Sequence, residues 1–139
     1  MFIYASLRPD TVNTVDKALC CAKTAIDKNA ERTVILDLTK LSCFTDYFVI
    51  CSGTSDRQIQ AISNSVEETL INKKIFPLAI EGYTDGRWVL LDYGDVVMHI
   101  FQDNLRDYYD LETLWTKATK IRVPVEYYRS SISTETLRL

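Results

Sequence analysis

The chain predicts a mixed domain of the α/β or α+β class, a five-stranded sheet flanked by helices. Three observations carry that expectation: two stretches with apolar residues at helical spacing, two apolar β-branched runs of strand length, and two alternating runs joined by a glycine turn. In chain order the elements read α-β-β-α-β-β-β-α, which places helices against a mixed sheet.

Each element has a local reason. Val12, Val15, Leu19, Ala22 and Ile26 recur at helical spacing, so a helix is expected from about Thr11 to Asn29. The β-branched run Thr33 to Leu38 reads as the first strand. After a turn at Ser42 to Asp46, the run Tyr47 to Ser52 is apolar throughout, as a strand covered on both faces should be. Gly53-Thr54 breaks it, and Ser55-Asp56-Arg57-Gln58 has the spacing of a capping box, so a second helix starts there with Ile59, Ile62, Val66 and Leu70 as its buried stripe. Asn72-Lys73-Lys74 ends that helix. A strand from Phe76 to Ile80 follows, and Pro77 assigns it to an edge because proline cannot donate to a ladder. Turn signals at Thr84-Asp85-Gly86 and Tyr93-Gly94 bracket strands near 87–92 and 95–102, which should pair as a hairpin. Leu111, Leu114, Trp115 and Ala118 give a last short helix, and the segment from Glu126 onward has no periodicity.

The 139 residues suit one domain, and the 47% hydrophobic and 25% charged fractions are those of an ordinary soluble protein. No apolar run approaches the ~20 residues a membrane helix needs, so no membrane partner is expected. The first ten residues lack a basic segment before a long apolar one, which argues against a secretory signal. Cys20, Cys21, Cys43 and Cys51 contain no C-x-x-C and sit among apolar or small neighbours, as reduced core thiols of a cytoplasmic protein would.

The net charge of −3 conceals a local imbalance. Between Glu81 and Glu112 stand eight carboxylates and only two arginines, a net of six negative charges. Such a field steers basic partners and disfavours a polyanion, so direct nucleic-acid binding is not expected.

Several constellations could carry chemistry. The junction Cys51-Ser52-Gly53-Thr54-Ser55-Asp56 joins a strand to a helix N-terminus, where anions can bind, but it lacks both the lysine of a phosphate loop and further glycines. Capping and turn formation alone explain it better, with an anion or RNA-phosphate contact as the alternative. A nucleotidyl-transfer centre needs two carboxylates at D-x-D spacing, and the chain has none; Asp92 and Asp95 alone make a poor metal site. His99 is the one histidine, with no nucleophile at a recognisable spacing, so a packed or interfacial role competes with a catalytic one.

The hairpin is more informative. A two-residue turn at Tyr93-Gly94 would pair Asp92 with Asp95, Leu90 with Val97 and Trp88 with His99, all on one face. Val89, Leu91, Val96, Met98 and Ile100 would form the other, uniformly apolar face. A tryptophan rimmed by carboxylates has the composition of a protein-binding hot spot; a helix covering the same face would account for it too. Tyr109, among the aspartates of the following segment, is a weaker candidate for the same contact.

Read together, Asp46 to Ser55, Gln58, Ala61-Ile62, Glu81-Gly82, Trp88 to Val97, His99-Ile100-Phe101, Arg106 and Tyr108 to Trp115 resemble the ribosomal silencing factor (Iojap, RsfS) family. The likeness covers about residues 11–119, leaving 1–10 as an N-terminal extension and 120–139 as a C-terminal tail, flexible or docked on a partner. It implies a nucleotidyltransferase-like fold without catalytic residues, no enzymatic activity, no cofactor and no metal. It further implies binding to a small basic protein, the fourteenth of the large ribosomal subunit, on the subunit-joining face. That binding sterically blocks the small subunit and represses translation when nutrients are scarce; organellar relatives act in large-subunit assembly. Members also self-associate when free. The expected contact set is Trp88, Leu90, Asp92, Tyr93, Asp95, Val97, His99 and Tyr109, with Trp88, Asp92 and Tyr93 the strongest. Met98 stands where relatives often carry a β-branched aliphatic.

Overall fold

The computed structural model describes residues 13–42 and 44–128. The expected N-terminal extension, Val12, Cys43 and the end of the tail lie outside the described residues.

Helix α1 (Thr14–Asp27) starts at Asn13, whose side chain accepts from the Val15 amide at 3.0 Å. Its buried stripe is Ala18, Cys21, Ala22, Ala25 and Ile26, while Val15 and Leu19 are only half-buried. The stripe is therefore turned from the expected one. The face that goes inward carries mostly small side chains, which contribute little to a hydrophobic pattern. Strand β1 (Glu31–Asp37) carries a bulge between Glu31 and Val34, with Arg32 in the left-handed region at φ 51°. Strand β2 (Tyr47–Gly53) is buried along almost its whole length, as its unbroken apolar run requires.

Helix α2 (Asp56–Asn72) begins at the N-cap Ser55, whose hydroxyl accepts from the Gln58 amide at 3.1 Å. Gln58 reaches back to the amide of Thr54 at 2.8 Å, one residue before the position a capping box specifies. Ile59, Ile62, Val66 and Leu70 are all fully buried, as their spacing predicts. Strand β3 (Ala79–Glu81) follows, and Pro77 falls just outside it. Gly82 then turns the chain at φ 80°, where a Cβ would stand 2.0 Å from the carbonyl oxygen of Trp88, so only glycine fits.

Strands β4 (Trp88–Asp92) and β5 (Val96–Gln102) form the expected hairpin. The pairing differs from the expected one by two residues: Trp88 lies opposite Phe101, Leu90 opposite His99 and Asp92 opposite Val97. The turn is centred on Gly94-Asp95, with Gly94 at φ 87° and the Tyr93 amide bonded to the Val96 carbonyl at 2.9 Å. A slip of two preserves which face each side chain occupies, but it moves Asp95 off the ladder and brings Phe101 beside Trp88.

The C-terminal region departs further from expectation. Two short helices, α3 (Asp103–Tyr109) and α4 (Leu111–Leu114), replace the single helix, separated by Asp110 in the left-handed region at φ 50°. A sixth strand, β6 (Thr119–Ile121), then pairs with β1, and residues 125–128 make a helical turn. The five-strand expectation is thereby corrected to a six-stranded mixed sheet in the order β3-β4-β5-β2-β1-β6. Every pairing is antiparallel except β2 with β5.

Helices α1 and α2 cover one face of this sheet, burying Ile35, Val49, Cys51, Val89, Leu91, Val96, Met98 and Ile100 against their own apolar stripes. Leu36, Leu38, Phe48, Ile50 and Phe101 form a second, smaller core on the opposite face, covered by Leu105, Leu111, Trp115 and Ala118 from the C-terminal segment. No helix of the described residues is long and apolar enough to cross a membrane.

Candidate functional site

The alternation of β4 and β5 sends Trp88, Leu90, Asp92, Val97, His99 and Phe101 to the face away from α1 and α2. The cover supplied by α3 and α4 extends over only part of that face. Phe48, Ile50, His99 and Phe101 are buried under it or beside it, whereas Trp88, Leu90, Asp92 and Val97 remain half-exposed. Glu81 of β3 lies opposite Leu90 and Ala79 opposite Asp92, so an apolar strip with carboxylates beside it runs along β3, β4 and β5.

At one end of the strip the rings are interlocked. Trp88 stacks on Phe101 with centroids 4.7 Å apart, and Tyr109 of α3 lies against Trp88 at the same distance. Tyr108, 78% exposed, meets Tyr109 edge to face at 5.1 Å. The Trp88 indole Nε1–H donates to His99 Nδ1 at 3.1 Å. His99 is 4% exposed and edge-on to Phe48 at 4.6 Å; burial lowers its pKa from the usual 6.5 to about 4, so the imidazole is neutral at neutral pH.

Arg106 and Arg32 hold this assembly in place. Arg106, 3% exposed, grips Glu112 with Nε and Nη2 at 3.0 and 3.1 Å, while its Nη1 donates to the Arg32 carbonyl at 2.6 Å and to Ser52 Oγ at 2.8 Å. Arg32 in turn projects from the bulge of β1 to Asp107 at 3.0 Å and Asp103 at 3.1 Å on α3. The bulge carbonyl and the bulge side chain thus both fasten α3 to the sheet, which is what sets Tyr109 against Trp88.

Two of the expected contact residues are placed elsewhere. Tyr93 continues the inward alternation of Val89 and Leu91, and its side chain is 6% exposed in the core beneath the helices, where burial pushes its phenol pKa up. The expectation that it faces a partner is corrected accordingly. Asp95 turns toward α1, where Lys17 Nζ contacts both carboxylate oxygens at 2.8 and 3.0 Å and Thr14 Oγ1 donates at 3.2 Å. Asp92, in contrast, spends one oxygen on the Gly94 amide at 2.8 Å and keeps the other without a hydrogen bond among the described residues.

The acidic run is accordingly less free than its charge count. Asp95, Asp103, Asp107 and Glu112 are paired with Lys17, Arg32 and Arg106, which leaves Glu81, Asp85, Asp92 and Asp110 without an ion pair among the described residues. Glu81 belongs to the strip by register, and its position beside the Gly82 turn was the sequence signal that could have placed it there. Arg32 carries no comparable signal, because its role depends on a bulge.

The strand-to-helix junction offers little room for chemistry. Ser52 receives Arg106, Ser55 caps α2, and Gln58 Nε2 donates to the Asn29 carbonyl at 3.1 Å, so capping and packing account for the polar side chains there. No group of three or more metal-ligating side chains occurs among the described residues. Cys21 and Cys51 are fully buried free thiols, and burial raises the Cys51 pKa to about 12; Cys20 is half-buried rather than core.

Comparison with known proteins follows the same lines. The family model described as "Ribosomal silencing factor during starvation" matches residues 11–137. Ribosomal silencing factor RsfS of Bacillus subtilis (strain 168) is 45% identical over 92 residues, 66% of this chain and 78% of the relative. The mouse protein named "Mitochondrial assembly of ribosomal large subunit protein 1" is 33% identical over 92 residues, 64% of this chain and 40% of its own length. A crystal structure of a Chromobacterium violaceum protein superposes with a TM-score of 0.74 at 32% identity, covering 76% of this chain and 88% of the other.

Proposed function

Since this chain belongs to the ribosomal silencing factor family, we propose that it binds the large ribosomal subunit through the fourteenth protein of that subunit and blocks joining of the small subunit. It then represses translation in the cytoplasm when nutrients are scarce, by occupancy alone, without turnover or a cofactor. The observation that carries this reading is the uncovered strip on the outer face: Leu90 and Val97 half-exposed, Trp88 and Tyr109 in ring contact at one end, and Glu81 and Asp92 available for charge-assisted pairs. Apolar surface with large aromatic anchors and carboxylates at its margin suits a basic protein surface, which the carboxylates would steer and orient while the rings supply most of the affinity.

Large subunits purified from the same organism and sedimented with this protein provide the test, with Val97→Arg and Asp92→Asn as variants whose fold is checked by circular dichroism. The wild type should pellet with large subunits, Val97→Arg should stay in the supernatant, and Asp92→Asn should bind with a weaker dependence on salt. Failure of the wild type to pellet sinks the proposal. A role in assembling the large subunit through the same contact is a second reading, supported by the name of the mouse relative. It predicts precursor particles in a deletion strain without a defect on starvation.

A further inference from the structure

We infer that His99 is a positioning residue for Trp88: from beneath the outer face it accepts the indole N–H and so fixes the orientation in which that ring is presented, together with Tyr109 tilted against it. This rests on the outer face being the docking surface proposed above. The argument begins with what each group needs. A half-buried tryptophan has one polar atom, a donor, and a sheet face lined by Phe48, Ile50, Leu90, Val97 and Phe101 gives it no acceptor other than the His99 Nδ1 at 3.1 Å. A histidine in the same place has its Nδ1 engaged, so its proton resides on Nε2, and Nε2 is buried with no hydrogen-bond partner among the described residues. Leaving a buried donor unmet costs stability, and a leucine or phenylalanine would satisfy the core better. The histidine thus sits there at a cost to the fold, and the one hydrogen bond it makes among the described residues is the one that orients Trp88.

The geometry excludes competing roles for the ring. Against it lie Phe48 and Ile50 of β2, Leu90 and Trp88 of β4 and Phe101 of β5, none of them charged; one ring further out stand Tyr109 of α3, the only titratable side chain of the set, and Trp115. None of these neighbours could use His99 as an acid, a base or a ligand. A protonated imidazole has two donors and no acceptor, so acid that charges His99 must also break the bond to Trp88.

The test compares wild type, His99→Leu and His99→Gln, whose amide oxygen restores an acceptor. The free proteins are followed by the ¹H–¹⁵N indole resonances, assigned with Trp115→Phe, and binding is measured on large subunits at pH 7.5. His99→Leu should be at least as resistant to urea as wild type, should shift the Trp88 indole resonance to the position of an unbonded N–H, and should bind about tenfold more weakly, the equivalent of one lost hydrogen bond. His99→Gln should recover most of both the shift and the affinity. In the wild type, acid should move the Trp88 signal in the same direction as His99→Leu does, and the signal in His99→Gln should not follow. An unmoved indole resonance in His99→Leu, or a moved resonance with wild-type affinity, overturns the inference. A wild type that fails to bind large subunits at all counts against the proposed function instead, and the indole resonances alone then decide whether His99 orients Trp88.

Discussion

The two faces of the sheet are built from the same strands by opposite rules. The face beneath α1 and α2 is apolar from β1 to β4, and its residues are almost all fully buried. The other grades from a sealed core at Phe48, Ile50 and Phe101 to a half-exposed strip at Leu90, Asp92 and Val97, and it contains the polar contacts of His99 and Arg106. Because a strand alternates sides at every residue, alternate positions of one strand can supply the stability of one face while the positions between them line the other, with little interference between them. In β4 that division is literal: Val89 and Leu91 are at 0% exposure, and their neighbours Leu90 and Asp92 are left half-open.

The division can be broken or sharpened by experiment. The largest loss of stability should come from the helical face, where Leu91→Ala is expected to cost about 3 to 4 kcal/mol in urea unfolding, a cavity in a close-packed core. Affinity for large subunits should be unchanged among the molecules that remain folded; a specific loss of binding would show that the faces are coupled.

Acid should act next, and through the other face. The pKa of His99 in the folded protein, about 4, lies below the ordinary value of 6.5, so between those values the unfolded chain takes up a proton that the folded one refuses. The contribution is complete above pH 6.5 and is lost as pH falls toward 4, by on the order of 3 kcal/mol at most. Thermal melts across this window should show the decline in wild type and a smaller one in His99→Leu.

Removing the pin is expected to cost somewhat less. Arg106→Met leaves Glu112 and Ser52 without their partner, but Glu112 is partly open to water and can be resolvated, so about 2 to 3 kcal/mol is expected in place of the full cost of a stranded buried charge. Hydrogen exchange should show α3 and α4 loosening first while α1 and α2 stay protected. Lys17→Met, which frees Asp95 on the helical side, should cost about 1 kcal/mol and leave sedimentation with large subunits unaltered. Such an outcome would separate Asp95 from the proposed docking face and fit its contacts to Thr14 and Lys17 of α1.

Much of this division was readable in the sequence, and the errors have specific causes. The stripe of α2 and the two faces of the hairpin followed from periodicity alone, because large apolar residues mark those positions without ambiguity. Tyr93 reads as part of a turn beside Gly94, but its place two residues after Leu91 and four after Val89 points it inward. The hairpin register turned on whether Tyr93-Gly94 or Gly94-Asp95 formed the turn, a choice that a lone glycine cannot make. The stripe of α1 was missed because alanine contributes little to a hydrophobic pattern, and β6 because three residues, Thr119-Lys120-Ile121, are too few to show one. Helix α3 is polar and short, and it is held by Arg32 and Arg106 across more than seventy residues of chain, an arrangement no local window contains.

The parallel pairing of β2 with β5 has one more consequence, which concerns timing. It is the seam that joins the β1–β2 unit to the β3–β4–β5 meander, and it brings residues 47–53 against residues 96–102. A nascent chain can form each antiparallel unit from neighbours as they emerge, but the seam cannot close before residues 96–102 are made, and α3 must follow before Tyr109 can be set on Trp88. Under the function proposed above, a chain that acts on ribosomes while being made by one would therefore have no complete outer face until Tyr109 had emerged.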